Sequence, residues 1–261
     1  MSKDYLLVKK KDGIATIYIN RPEKKNAFNY DMWTNLIDIL EELELDIEVK
    51  VLVIRGIDDT AFVAGADISE FTTIRSTAVG EKLYNQAVSK VEKALMNFSK
   101  PTIAMIQKYC IGGGCIIALA CDLRFSSESG IFAITPAKIG IIYSYQGTKN
   151  LIDLVGVARA KDLLFSARKL NSYEAYSYRL VERIFPDEEI AAKTYEYADS
   201  IARLAQKSIK GAKKIISEIN DGKMQETEEI YELTVSSYAS SDYQEGVKAF
   251  IEKRVPNFKE V

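Results

Sequence analysis

The chain has 261 residues, enough to bury a large core, and an ordinary globular composition in which 35 basic face 37 acidic side chains for a formal charge of −2. That balance excludes a global basic field for nucleic acid or a membrane surface, so an anionic ligand needs a local patch. There is no histidine, which excludes Ser-His and Cys-His nucleophilic systems and every histidine-bound metal site and leaves carboxylates, Tyr, Lys, Cys, backbone dipoles or water.

In chain order, "YLLVKK" and "GIATIYIN" read as a hairpin turning at "KDG". The opening "MSKDYLLVKKKDG" lacks a signal-peptide core and no run reaches the roughly eighteen apolar residues of a membrane span, so a cytoplasmic protein is expected. "RPEKKNAFN" is a loop; residues 30–45, "YDMWTNLIDILEELEL", repeat their apolar positions as an amphipathic helix; "VKVLVIRG" is a buried strand. A loop through Ala66, a helix near 79–98, the strand "PTIAMIQK", a glycine run, a helix through Ala120 and the strand "DLRFSS" follow. Strands alternating with helices predict an α/β core. Beyond about residue 144 only "LVERIF" reads as strand, which suggests a core over 1–195 and a helical region over 196–261 that packs on the core or on another subunit. Cys110, Cys115 and Cys121 share one apolar stretch without the close pairs of a zinc site, so they read as buried reduced thiols and no metal is expected.

Two loops carry the chemistry. In "IGGGCIIALACD", residues 111–122, Gly112, Gly113 and Gly114 precede a helix although each glycine costs about 1 kcal/mol relative to alanine in a helix, which points to close approach of a ligand to the backbone. In "FVAGADISEF", residues 62–71, Asp67 and Glu70 fit a capping box that leaves the Ala66 N–H just outside a helix start. Two such loops can aim one N–H each at a single oxygen, with helix dipoles adding positive potential. "GGG" deep in the chain is not the G-x-G-x-x-G of dinucleotide binding.

These motifs, with "IATIYINRPEKKNAFN" near the start and "DYQEGVKAFIEKRVPNF" near the end, resemble the crotonase superfamily, the enoyl-CoA hydratase/isomerase family, over essentially the whole chain. The resemblance implies a spiral of ββα units with a C-terminal helical trimerisation region, a homotrimer or a hexamer built as a dimer of trimers, and no tightly bound cofactor, coenzyme A arriving as part of an acyl-CoA substrate. It implies an enolate held by the N–H groups of Ala66 and Gly113. It implies acyl-CoA contacts at Lys25, Ala27, Ala64, Asp67, Ile68, Gly112, Gly114 and Pro136, and at Phe250 and Lys253 toward a neighbouring subunit's CoA.

The chain departs from the pattern where hydratases carry two glutamates: those places hold Ile116 and Ala137. Aliphatic side chains cannot ionise or orient a water, so ordinary enoyl-CoA hydration is expected to be impaired. In "TPAKIGIIYSYQGTKNL", Tyr143 resembles a tyrosine of methylmalonyl-CoA decarboxylases, and decarboxylation makes its own enolate without a base. That subgroup has a histidine in place of Ala66 and an acid in place of Ile116, and Lys108 stands at a usual family glycine. Tyr143 and Tyr145 could also merely pack at a helix start, and Lys138 and Gln146 read as structural or solvent-facing. The leading expectation is therefore a decarboxylase-like acyl-CoA lyase with Tyr143 catalytic. The alternatives are a hydratase or isomerase with a non-standard acid/base, a thioester hydrolase, or a non-catalytic CoA-thioester binder.

Overall fold

The computed structural model describes residues 4–258. The chain opens with the expected hairpin: β1 (Leu6–Lys11) pairs antiparallel with β2 (Ile14–Ile19). Its two-residue turn holds Asp12 and Gly13 at positive φ, the backbone that matches the right-handed twist of a hairpin. Helix α1 (Tyr30–Leu45) starts where Asn29 caps the Met32 N–H and buries Met32, Trp33, Leu36, Leu40 and Leu43 along one stripe. Strand β3 (Val51–Gly56), helix α2 (Ala78–Met96) and strand β4 (Thr102–Ile106) follow. Then come the short strand β5 (Tyr109–Ile111) and helix α3 (Gly113–Ala120), and after them β6 (Leu123–Ser127) and β7 (Ile131–Ala133).

Helices α4 (Tyr145–Val155) and α5 (Val157–Ser166), the two-residue β8 (Leu170–Asn171), α6 (Ser172–Ser177) and β9 (Arg183–Phe185) complete the sheets. The main sheet has the order β1-β2-β3-β4-β6-β9 and is parallel after the first pair; β5, β7 and β8 form a second, three-stranded sheet. Strand, short strand and helix thus recur as a unit, the ββα spiral expected from the resemblance.

The central strands are apolar on both faces, as a parallel sheet covered by helices requires. Ala15, Ile17, Leu52, Ile54, Ala104 and Ile106 face the cluster that includes the buried sides of α1, α2 and α3, while Ile14, Val51, Val53, Ile103, Met105 and Phe125 face helix α7 (Ile190–Ala202). Residue 195, where the sequence places the end of the core, lies inside α7, whose Ile190, Ala198 and Ala202 cover the sheet. Helices α8 (Gln206–Asn220), α9 (Glu228–Ser237) and α10 (Ser241–Glu252) follow, and Lys213 on α8 reaches back to Asp122 at 2.6 Å and to the Lys100 carbonyl. Residues 259–261 of the expected helical region lie outside the described residues.

Candidate active site

The segment 62–67 runs between two other backbone stretches and is bonded to both. On one side Phe62 and Val63 donate to the carbonyls of Gln107 and Tyr109, and Val63 accepts from Ile111; on the other Ala64 donates to Lys25, Phe28 to Gly65, and Asp67 to Phe28. Phe28 and Ala66 form a parallel bridge, as do Val63 and Cys110. This lacing lays the Gly65–Ala66 peptide against the start of α3. A Cβ at Gly112 would lie 3.9 Å from Gly65 Cα, and one at Gly113 would lie 3.8 Å from the Gly65 carbonyl carbon.

Neither the N–H of Ala66 nor that of Gly113 is taken up by another group among the described residues. The Gly113 N–H is one of the orphan donors at the first turn of α3, where the helix dipole adds positive potential. A pair of free donors on converging, doubly anchored loops is suited to stabilising an oxyanion that develops between them.

The three glycines do three different jobs. Gly112 turns the chain into α3 at φ +53°; Gly113 lies tight against Trp33, which a Cβ there would meet at 3.1 Å and which would have to give by a few tenths of an ångström; a Cβ on Gly114 would strike the Val63 carbonyl oxygen at 2.6 Å. The bare Cα of Gly114 is therefore what lets α3 seat on the 62–67 segment. Trp33 is held in place by tilted packing against Phe28, 4.7 Å between centroids with the rings at 54°, and by donating from Nε1 to the Tyr84 hydroxyl at 2.8 Å.

Asp67 and Glu70 do not close the expected capping box. Asp67 accepts from Ser69 at the start of a short 3₁₀ turn (Ile68–Thr72), while Glu70 reaches the Tyr30 N–H with both oxygens, at 2.9 and 3.0 Å, and caps α1 instead. Burial raises the Glu70 carboxyl, and the Tyr30 hydrogen bond offsets only part of that rise. Asp67 is buried in a 2.6 Å ion pair with Arg21. Burial alone would push its carboxyl up, but the Ser69 hydroxyl and N–H and the Arg21 guanidinium together hold it below the ordinary range. Its side-chain oxygens thus anchor the loop from inside the fold.

Arg21 also donates to the Ala27 carbonyl, and Asn26 ties the Arg21 N–H to the Ala61 carbonyl. This frame was missed in the sequence because "RPEKKN" reads as a solvated loop. Its one signal was an Asn able to hold the left-handed turn that Lys25 and Asn26 adopt.

The remaining expected contacts divide by position. Lys25 is exposed, with its ammonium 4.8 Å from the Tyr109 ring centroid; Ala27 and Ala64 are half-buried and Ile68 is exposed, all on or beside the laced loops. Pro136 begins a 3₁₀ turn (Pro136–Lys138) that leaves Ala137 and Lys138 exposed. Ile116 is half-buried in the first turn of α3 and packs on the core near which Ala66 and Tyr143 also pack. Tyr145 is exposed, and Gln146 bonds Asn150 one turn on. Phe250 and Lys253 lie on and just after α10; Phe250, 86 % exposed, borders a hollow formed with Ala205, Tyr243 and Phe258, away from the 62–67 segment and the start of α3.

The Tyr143 hydroxyl is sealed from solvent and has no hydrogen-bond partner among the described residues. Burial holds it protonated, well above the ordinary tyrosine range, with the nearby Cys115 thiol and Glu92 carboxyl adding to the shift. Cys110, Cys115 and Cys121 are buried and form no disulfide; burial pushes Cys121 up to about 12 and raises Cys110 as well, so those two are inert thiols. No group of three or more His, Cys, Asp or Glu among the described residues is placed to hold a metal.

The family model described as enoyl-CoA hydratase/isomerase matches residues 9–261. The chain is 30 % identical to a crotonyl-CoA hydratase of Syntrophomonas wolfei and 32 % identical to a short-chain-enoyl-CoA hydratase of Clostridium acetobutylicum, each alignment covering 99 % of both chains. Among solved structures, a putative enoyl-CoA hydratase/isomerase family protein from Hyphomonas neptunium superposes with a TM-score of 0.95 at 35 % identity, covering 98 % of each chain.

Proposed function

The chain belongs to the enoyl-CoA hydratase/isomerase family, and on that premise we propose that it turns over an acyl-CoA thioester through an enolate whose oxygen lies between the N–H groups of Ala66 and Gly113. The observation that carries this reading is the pair of free N–H groups on loops laced against each other. As the α-carbon gains or loses a proton, charge builds on the thioester oxygen, and fixed donors there stabilise the transition state without reorganising. Loss of one such donor costs about 3–4 kcal/mol of that stabilisation.

The proton itself has to be moved by something other than the usual carboxylates, because Ile116 and Ala137 cannot ionise. The relatives named as hydratases favour a hydratase or isomerase reaction run with a non-standard acid/base over the decarboxylase-like lyase, for which the comparisons give no support. Decarboxylation stays as the second reading on one observation, the buried and unpartnered Tyr143 hydroxyl beside positions that offer no base. Lys25, with Ala27, Ala64 and Ile68 around it, is our candidate for the mouth of the CoA path, and coenzyme A enters only as part of the substrate.

A homotrimer, alone or paired into a hexamer, belongs to the same proposal. It is supported by apolar side chains left uncovered on the last helix and after it, among them Phe250, Ile251 and Val255, and by Ile142 before α4. No helix among the described residues is long and apolar enough to cross a membrane, and a cytoplasmic setting, in which the three thiols stay reduced, completes the reading.

A panel of CoA thioesters containing crotonyl-, 3-enoyl- and malonyl-type acyl groups, followed for product, tests the activity. A complex in which the thioester oxygen lies outside hydrogen-bond range of both N–H groups refutes the site. A stable monomer in sedimentation at micromolar concentration refutes the assembly.

A further inference from the structure

Between α2, α3 and α4 lies a polar cluster that the oxyanion loops do not use. Glu92, on α2, is completely buried, and its only hydrogen-bond partner among the described residues is the Ser144 hydroxyl, which donates at a long 3.4 Å to either oxygen. Ser144 is at the same time the cap of α4, accepting from the Gly147 N–H at 3.0 Å. Tyr143, one residue earlier, carries the unpartnered buried hydroxyl.

The two groups crowd a single point. A Cβ on Gly147 would lie 2.8 Å from Tyr143 Cε1 and 3.2 Å from Glu92 Oε1, so the missing side chain at Gly147 is what makes room for both. The groups facing them are Ser144 at the start of α4, the Cys115 thiol on α3 and the Cys110 thiol on β5, and among the described residues no lysine, arginine or second carboxylate enters the balance at Glu92. Burial therefore raises the Glu92 carboxyl to about 7, with Ser144 alone pulling the other way. A core optimised for packing would place apolar groups here, since a buried carboxyl without a cation and a buried phenol without an acceptor are both costly.

We propose that Tyr143 and Glu92 form the proton-transfer pair of the site, in place of the carboxylates missing at positions 116 and 137. The Tyr143 hydroxyl meets the acyl α-carbon, and Glu92 acts through it. In the protonating direction the Tyr143 O–H bond breaks as the C–H bond forms and the enolate electron pair is drawn into that bond. The two side chains lie side by side across the bare Gly147 and are not yet bonded; a rotation that brings them into hydrogen-bond reach lets the phenolate oxygen take the proton of the Glu92 carboxyl, leaving a carboxylate. In the reverse direction the carboxylate draws the proton from the α-carbon through Tyr143, and the C–H pair becomes the enolate held at Ala66 and Gly113. No oxidant, reductant or added water is consumed. A group whose proton affinity lies near the working pH suits both directions. Tyr143 is the catalytic residue of the pair and Glu92 its positioning and proton-supplying residue. The inference rests on the enolate reading above.

The test is exchange of the α-hydrogens of acetyl-CoA and butyryl-CoA in D2O, followed by NMR or mass spectrometry, because saturated thioesters report enolate formation whatever the overall reaction. The natural protein is expected to exchange at a rate that rises with pH through an inflection near 7. Glu92→Gln and Tyr143→Phe each lose about 100-fold or more, Glu92→Gln also loses the inflection, and both keep thioester affinity by calorimetry and cooperative unfolding. The double variant is no slower than the slower single one, because the two residues serve one path. Ser144→Ala, which removes the group that lowers Glu92, moves the inflection to higher pH, a shift that a merely structural Glu92 would not produce. Exchange that survives in Glu92→Gln with an unchanged inflection overturns the pair and leaves the oxyanion reading standing. A natural protein that fails to bind these thioesters, or binds them without exchange, overturns both.

Discussion

Replacing Glu92 by glutamine should make the protein more stable, and by an amount that depends on pH. The folded-state value of Glu92 is about 7, against 4.5 for an unburied glutamate, and burial is the cause. Between those two values the native state binds a proton that the unfolded chain does not, so stability falls as pH rises. The native protein is favoured most below about 4.5, loses stability through the interval and bears a constant penalty above about 7. At 1.36 kcal/mol per unit, the difference of about 2.5 units corresponds to about 3 kcal/mol by pH 8. Glutamine keeps the shape and the Ser144 partner but has no charge to desolvate. The gap between the variant and the natural protein should therefore widen by about 3 kcal/mol from pH 4.5 to pH 8. Urea unfolding of both proteins at one protein concentration, at several values between about pH 5 and pH 8, measures the gap directly. Two stability curves that run parallel across that range would show that Glu92 is not a buried, raised carboxyl, and the reasoning would fail at its first step.

Three further outcomes are expected. Gly114→Ala puts a methyl group 2.6 Å from the Val63 carbonyl oxygen; because backbone lies on both sides, we expect a loss of about 1–3 kcal/mol in thermal or urea unfolding and weaker turnover as the Gly113 N–H is displaced. Arg21→Met strands the buried Asp67 carboxylate and should cost about 3–5 kcal/mol, much of it recovered when Asp67→Asn is added, a pattern that an equal loss in single and double variants would refute. Ile116→Glu combined with Ala137→Glu should raise crotonyl-CoA hydration about 10²- to 10⁴-fold, read as loss of the enoyl absorbance; a natural protein already as fast as the double variant would mean that those positions are not where hydration was lost.

Much of the core was legible because its elements are long or strongly periodic. Residues 30–45 repeat apolar side chains every three or four positions and form α1, and "VKVLVIRG" is apolar throughout most of its length and forms β3. Strands β5, β7 and β8, two or three residues each, carry no period, and their pairing is decided by partners far along the chain. The loop before α3 stood out in the sequence because consecutive glycines at a helix start weaken the helix, so their presence signals a close approach to the backbone. What stayed hidden was side-chain commitment: Glu70 caps another helix, and Asp67 is spent on Arg21. Glu92 escaped notice because a glutamate between Lys90 and Lys93 on an amphipathic helix reads as a solvated residue. Its spacing from Tyr84 and Val88, four residues at a time, puts it on the buried stripe and was the available signal.

The Gly65–Ala66 peptide is held by main-chain bonds on both sides, to 25–28 and, through Val63, to 109–111. A donor built this way belongs to no side chain, so mutation at position 66 can alter its surroundings without deleting it, and only a proline could remove the N–H outright. Side chains that move protons have no such protection; one base change can turn a glutamate into something inert. The two halves of the chemistry are thus exposed to drift at unequal rates, and a descendant can shed its old acid and base while inheriting a working anion trap. Such a lineage does not have to reinvent charge stabilisation to acquire a new reaction; it has only to bring one ionisable group into the interior beside the trap.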